Sequence, residues 1–234
     1  MAGSEKKSLW LRWVAANALG ETFGLGGSFA VAVLALSRLG NQPGVMIVLA
    51  SFLIAVLSGA IEATIVGLAQ WWAMQPWFPA ITRRLWWMAT LVGALVAYVL
   101  GYLPSTIMNL GEQAGPATGS VAAPAAEPAQ WIVLLLAAGL GVVGGAVLSF
   151  AQWLTLRKKV ARAGWWIPAN MLAWMVGMPI IFWGIDAAQK GQPVWQALLL
   201  MAGVLFLAGA VVGGIHGLFL VRLASSGKEL NEQL

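Results

Sequence analysis

Six long apolar runs constrain this chain more strongly than any other feature. They cover residues 13–36, 44–71, 85–103, 131–154, 165–185 and 194–221. About 20 apolar residues in a helix are needed to cross the roughly 30 Å hydrocarbon core of a bilayer. The runs are continuous and lack the period-two alternation of membrane β-barrels. We therefore predict an all-α polytopic membrane protein with six transmembrane helices.

The basic residues predict the orientation of these helices. If both termini are cytoplasmic, all 13 lysines and arginines except Arg38 and Lys190 lie on the cytoplasmic side. This asymmetry follows the positive-inside rule and predicts a multi-pass protein of a bacterial inner membrane. The basic charge then reflects topology and attraction to lipid headgroups, so no nucleic-acid partner is expected.

The inner ends of the runs repeat three times at constant spacing. In the odd runs a tryptophan precedes Asn or Thr by four residues, in the pairs Trp13 and Asn17, Trp86 and Thr90, and Trp166 and Asn170. In the even runs, small residues four positions apart precede one polar residue, which is Gln70, Gln152 or His216. We predict one transmembrane domain, residues 1–234, of three tandem two-helix repeats over about 13–72, 86–154 and 165–222.

The small residues predict helix packing, because Gly, Ala and Ser let helix backbones approach closely in lipid. The segment between the third and fourth runs, residues 104–130, is rich in Ala, Pro and Gly. That composition predicts a flexible extracytoplasmic loop without a binding site.

Most of the 14 tryptophans fall at the predicted inner ends of the runs. Indole rings favour the headgroup level, where the ring is buried and the N–H remains hydrated. We interpret them as an interfacial belt. The alternative is a stacking platform for a pigment or an aromatic substrate.

Two acidic residues inside the predicted spans have no counterpart in the other two repeats. Glu21 and Glu62 lie at similar depth, about 12 to 13 Å from the inner ends of their helices at about 1.5 Å per residue. Asn17 is one turn from Glu21, and Gln70 is about two turns from Glu62, so facing helices would gather all four into a polar patch.

This patch is the candidate ligand- or ion-binding site. A charge near mid-bilayer costs about 2.5 kcal/mol or more on insertion scales, and no lysine or arginine lies at that depth. We therefore expect the pair to be partly protonated or to hold a cation. The alternative is that two protonated acids only join neighbouring helices by hydrogen bonds.

His216, the only histidine, has two interpretations. It is a candidate proton relay or axial ligand of a haem or chlorophyll-type pigment. It also occupies the position of Gln70 and Gln152 in the other repeats, which favours an interhelical hydrogen bond.

The remaining residues give no support to an enzyme. The chain has no cysteine, which excludes disulfides and thiolate ligands, and a single histidine cannot form a multi-ligand metal cluster. No phosphate-binding glycine loop occurs. We predict no catalytic residues, no metal and no cofactor other than bound lipid.

At Ala69-Gln70-Trp71, at residues 151–157 and at residues 165–170, the chain resembles uncharacterised bacterial membrane proteins built from glycine-rich hairpins with Gln-Trp ends. The resemblance covers all six runs but not the loop at 104–130. It implies a membrane location and a hairpin scaffold, and it brings no activity and no functional residues.

Two classes of function therefore remain open. The first is binding or transport of a small cation, a proton-coupled solute or a lipid through the patch of Asn17, Glu21, Glu62 and Gln70. The second is a non-transporting accessory subunit of a respiratory or photosynthetic membrane complex, in contact with other subunits and with lipid or pigment.

Overall fold

The computed structural model describes residues 1–39, 44–114 and 128–231, and over these ranges the chain is helical apart from short turns. Its long helices are α1 (Gly3–Leu39), α2 (Val45–Met74), α3 (Arg83–Ala114), α4 (Gln130–Leu156), α5 (Trp166–Ala188) and α6 (Val194–Asn231). A short 3₁₀ turn, Ala163–Trp165, precedes α5. Within the described ranges these 6 helices are long and apolar enough to cross a membrane, which confirms the predicted helical class.

The helices form a closed ring. Each helix packs against the next along the chain, and α6 packs against α1. At one end, Lys159 Nζ donates to the Ala80 carbonyl at 2.7 Å, and Arg12 Nη2 donates to the Trp72 carbonyl at 3.0 Å. We call this the basic end of the ring. At the other end, the Gln130 amide lies 3.2 Å from Asp186.

Glycines on the even helices allow close approaches to the next helix around the ring. A Cβ atom built on Gly145 of α4 would lie 2.7 Å from the Asn170 carbonyl oxygen of α5. On Gly213 of α6 it would lie 3.1 Å from Val14 Cα of α1. On Gly67 of α2 it would lie 3.1 Å from the Thr90 side chain of α3. Each small-residue face therefore packs against the helix that follows it around the ring.

The third helix is longer than the sequence predicted. Helix α3 continues through Pro104 to Ala114, so the prediction of a flexible loop over 104–130 is wrong for residues 104–114. A proline inside a helix removes one backbone donor but does not prevent the following residues from being helical. Here Thr106, which is buried, bonds the Tyr102 carbonyl at 2.8 Å. Residues 115–127 lie outside the described part of the chain.

Alanine substitutions at two adjacent glycines of α4 test whether the glycine face packs against α5. Gly145→Ala should destabilise the protein by about 1 to 3 kcal/mol, because the added methyl group overlaps the backbone of α5. Gly144 is the matched control, since a Cβ there meets nothing within 4 Å. Thermal unfolding of both variants in detergent measures the difference. Equal unfolding midpoints would contradict a packing role for the glycine face.

Candidate functional site

Three tryptophans meet inside the ring near its basic end. Trp13, Trp86 and Trp166 are all 0% exposed. Their rings pack edge to face, with centroid separations of 6.4, 5.8 and 6.0 Å. We call them the tryptophan cluster. The interfacial-belt interpretation is wrong for these three residues, because their rings face one another and not the headgroups.

Each indole N–H of the cluster donates to a side chain on a neighbouring even helix. The bonds run from Trp13 to His216 Nδ1 at 2.7 Å, from Trp86 to Gln70 Oε1 at 3.2 Å, and from Trp166 to Gln152 Oε1 at 2.8 Å. The polar residue that ends the small-residue face of each even helix is thus a hydrogen-bond acceptor for a buried indole.

The amides extend these bonds into a network across the ring. Gln70 Nε2 donates to Asn17 Oδ1 at 2.8 Å, and Gln152 Nε2 donates to Thr90 Oγ1 at 3.0 Å. Asn17 Nδ2 in turn bonds the Trp13 carbonyl at 2.8 Å. Buried polar groups need such partners when no water is available. These bonds therefore give Asn17 and Gln70 a structural role.

His216 belongs to the same network. Besides its bond from Trp13, its ring lies 5.5 Å from the ring centroids of both Trp13 and Trp166. The residue is 1% exposed. This geometry matches the interhelical hydrogen bond.

Glu21 lies on α1, one turn beyond Asn17, and is 1% exposed. Its Oε2 atom is buried and has no hydrogen-bond partner among the described residues. The neighbouring residues face α2, because a Cβ built on Gly24 would lie 3.2 Å from Glu62 Cα and one on Gly20 would lie 3.3 Å from Val66. Glu21 therefore lies where α1 and α2 cross closely.

Glu62 is fixed at this crossing by its backbone and its side chain. Its N–H donates to Ser28 Oγ at 3.0 Å, and its carboxyl oxygen Oε2 accepts a hydrogen bond from the Tyr98 hydroxyl. The charges of Glu21 and Glu62 are close enough to interact. Neither forms an ion pair, and the salt bridge within the described ranges joins Lys190 and Asp186 at 3.1 Å.

Tyr98 is a member of this site that the sequence did not predict. The chain has only 2 tyrosines, Tyr98 and Tyr102, one turn apart on α3 with ring centroids separated by 6.0 Å. A Cβ on Gly59 would lie 2.8 Å from the Tyr98 ring, so that glycine leaves the space the ring occupies. Two tyrosines one turn apart indicate a polar patch on α3, but this spacing does not identify Glu62 as the partner of Tyr98.

The four predicted site residues thus fall into two adjacent groups. Asn17 and Gln70 are bonded to each other within the tryptophan network. Glu21 and Glu62 lie together with Tyr98, and we call these three residues the carboxyl site. The described residues contain no group of three or more His, Cys, Asp or Glu that could hold a metal ion. The carboxyl site suits a ligand that needs few protein donors.

The described residues thus form a ring of apolar, membrane-length helices with an acidic site inside it. No protein-family model, curated protein or solved structure matches the chain.

Replacing Glu21 by leucine separates a binding role from a purely structural one. Glu21→Leu should leave the unfolding midpoint unchanged or raise it, because it removes a buried oxygen that has no partner. Gln152→Leu is the comparison and should cost about 1 to 3 kcal/mol, because it leaves the Trp166 indole N–H without an acceptor. Thermal unfolding in detergent measures both. Equal destabilisation by the two variants would favour Glu21 as interhelical glue.

Proposed function

We propose that this protein binds a proton or another small cation at the carboxyl site and couples its binding to movement of a solute across the membrane. The observation that carries the proposal is the buried oxygen of Glu21, which has no partner among the described residues and lies beside a second carboxyl group. The packing of α1 against α2 does not require the Glu21 carboxyl group, since Gly20 and Gly24 already provide the close approach between these helices. Because a buried carboxylate near mid-bilayer is costly, such residues commonly mark an ion or proton path.

The surroundings of the carboxyl site support this assignment. Buried amides and indoles of the tryptophan network have bonds to protein groups, whereas Glu21 Oε2 has none in the described residues. That oxygen can accept a proton, or serve as one ligand of a cation, without giving up a hydrogen bond of its own. The site also joins three helices, so a change in its charge alters the contacts of α1, α2 and α3 together.

We further propose that the basic end of the ring is cytoplasmic, that the membrane is a bacterial inner membrane, and that the three hairpins are tandem repeats. The distribution of lysine and arginine supports the orientation. The three equivalent tryptophan bonds support the repeat. A fluorescent reporter fused to the C-terminus should fold and fluoresce if this end is cytoplasmic.

Removing both carboxyl groups tests the function directly. The double variant Glu21→Gln with Glu62→Gln should lose cation- or pH-driven uptake in vesicles that contain the purified protein, because neither amide binds a proton or a cation as a carboxylate does. Asp186→Asn is the matched control, since this acid is exposed and already paired with Lys190.

The double variant must retain the near-ultraviolet circular dichroism of the tryptophan cluster, which reports its fold. Wild-type uptake by a folded double variant would reject the carboxyl site. Absence of uptake in every variant, together with co-purification of a larger assembly, would instead favour the accessory-subunit function.

A further inference from the structure

The oxygen atoms around the carboxyl site are mostly committed to hydrogen bonds. Ser28 Oγ donates to the Ser58 carbonyl at 2.7 Å and accepts the N–H of Glu62 at 3.0 Å. Asn17 Oδ1 accepts from Gln70, and Glu62 Oε2 accepts from Tyr98. Glu21 Oε2 is the buried oxygen that lacks a partner within the described ranges.

This donor set fits a proton better than a metal cation. Ca²⁺ takes about 6 to 8 oxygen ligands, and Mg²⁺ needs near-octahedral coordination. A cation of either kind would have to break several of the bonds around Ser28 and Glu62. A proton needs one acceptor, and a protonated carboxyl group is neutral, which removes the cost of burying a charge.

The titratable groups that face Glu21 come from the neighbouring helices. Helix α2 contributes Glu62, and α3 contributes Tyr98, whose hydroxyl group bonds Glu62, with Tyr102 one turn away. Helix α6 packs on the other side of α1, and over residues 194–221 its one titratable side chain is His216. That imidazole accepts a hydrogen bond from Trp13 in the tryptophan cluster, which lies between the carboxyl site and the basic end of the ring.

The two tyrosines lead from the carboxyl site towards the end of the ring opposite the basic end. Tyr98 bonds Glu62, and Tyr102, one turn further along α3, is 44% exposed. Tyr102 lies about 27 Å along the helix from Arg84 at about 1.5 Å per residue, which is close to the thickness of the hydrocarbon core. In the opposite direction the tryptophan cluster closes the ring, since its members are 0% exposed.

From these contacts, and on the basis of the proposed function, we propose that the ion is a proton and that Tyr98 conducts it between the carboxyl site and water at the Tyr102 end. A hydronium ion at that end gives its proton to the Tyr98 hydroxyl oxygen and becomes neutral water, while the existing hydroxyl proton passes to the Glu62 carboxylate. One O–H bond forms as another breaks, so Tyr98 remains neutral. Glu62 then passes the proton to Glu21, and the site gains one proton.

Infrared spectroscopy of the full-length protein in lipid nanodiscs tests this proposal. After a rapid drop in pH, the wild type should show growth of a protonated-carboxyl band that is absent from Glu21→Gln. Tyr98→Phe should retain the band but slow its growth by about 10²-fold, a magnitude typical of the loss of a positioned proton-transfer group. Phenylalanine keeps the ring beside Gly59 and removes only the hydroxyl, and Asp186→Asn should match the wild type.

Each alternative outcome overturns a different statement. Displacement of the Glu21 band by Na⁺, K⁺ or Ca²⁺ at constant pH would show that the site binds a metal cation, which refutes the proton and leaves the proposed cation site intact. Unchanged kinetics in Tyr98→Phe would refute the tyrosine route. An unchanged band in folded Glu21→Gln would refute the carboxyl site itself, and Glu21→Asp should restore a band if carboxyl chemistry is the cause.

Discussion

The absence of water from the hydrocarbon core is the constraint on which the rest of this structure depends. Every buried polar group there must find its partner within the protein. The tryptophan network meets this requirement, because the indoles of Trp13, Trp86 and Trp166 donate to His216, Gln70 and Gln152. Within the hydrocarbon core Glu21 departs from this pattern, since its buried Oε2 has no partner among the described residues.

Close helix packing makes the network possible. Glycines such as Gly67, Gly145 and Gly213 bring each even helix within van der Waals contact of the next helix. At that separation a glutamine or histidine on one helix reaches an indole on its neighbour. The same small-residue face leaves a gap at Gly59, where the Tyr98 ring fits and directs its hydroxyl towards Glu62. Packing and the position of the site therefore have a common cause.

The sequence predicted the helices well because hydropathy is a local property of the chain. For α3 the sequence predicts too early an end, because the composition from Pro104 onwards is typical of a loop, although the helix continues beyond this proline. It also assigned Trp13, Trp86 and Trp166 to the membrane interface. Indole is both amphipathic and a hydrogen-bond donor, so composition and spacing do not reveal whether a ring faces lipid or the centre of a helix ring.

The candidate site was partly accessible from sequence. Glu21 and Glu62 were identifiable because both lie deep in the predicted spans and neither has a counterpart in the other two repeats. Helical spacing placed Asn17 on the same face as Glu21 and Gln70 on the same face as Glu62. Spacing did not show that Gln70 and Asn17 bond each other and leave the acids to a separate group. The contact from Tyr98 depends on how α2 crosses α3, which no pattern within one helix specifies. The binding role of the site stays a prediction.

An experimental density map of the protein in a lipid bilayer, with ordered waters resolved, tests the central claim most directly. Our account predicts that the Glu21 carboxyl group faces Glu62 inside the ring and that no protein donor other than the Glu62 carboxyl group lies within hydrogen-bond distance of its Oε2 atom. A Glu21 side chain directed to the lipid headgroups, or one bonded to a backbone donor or to a side chain other than Glu62, would contradict it.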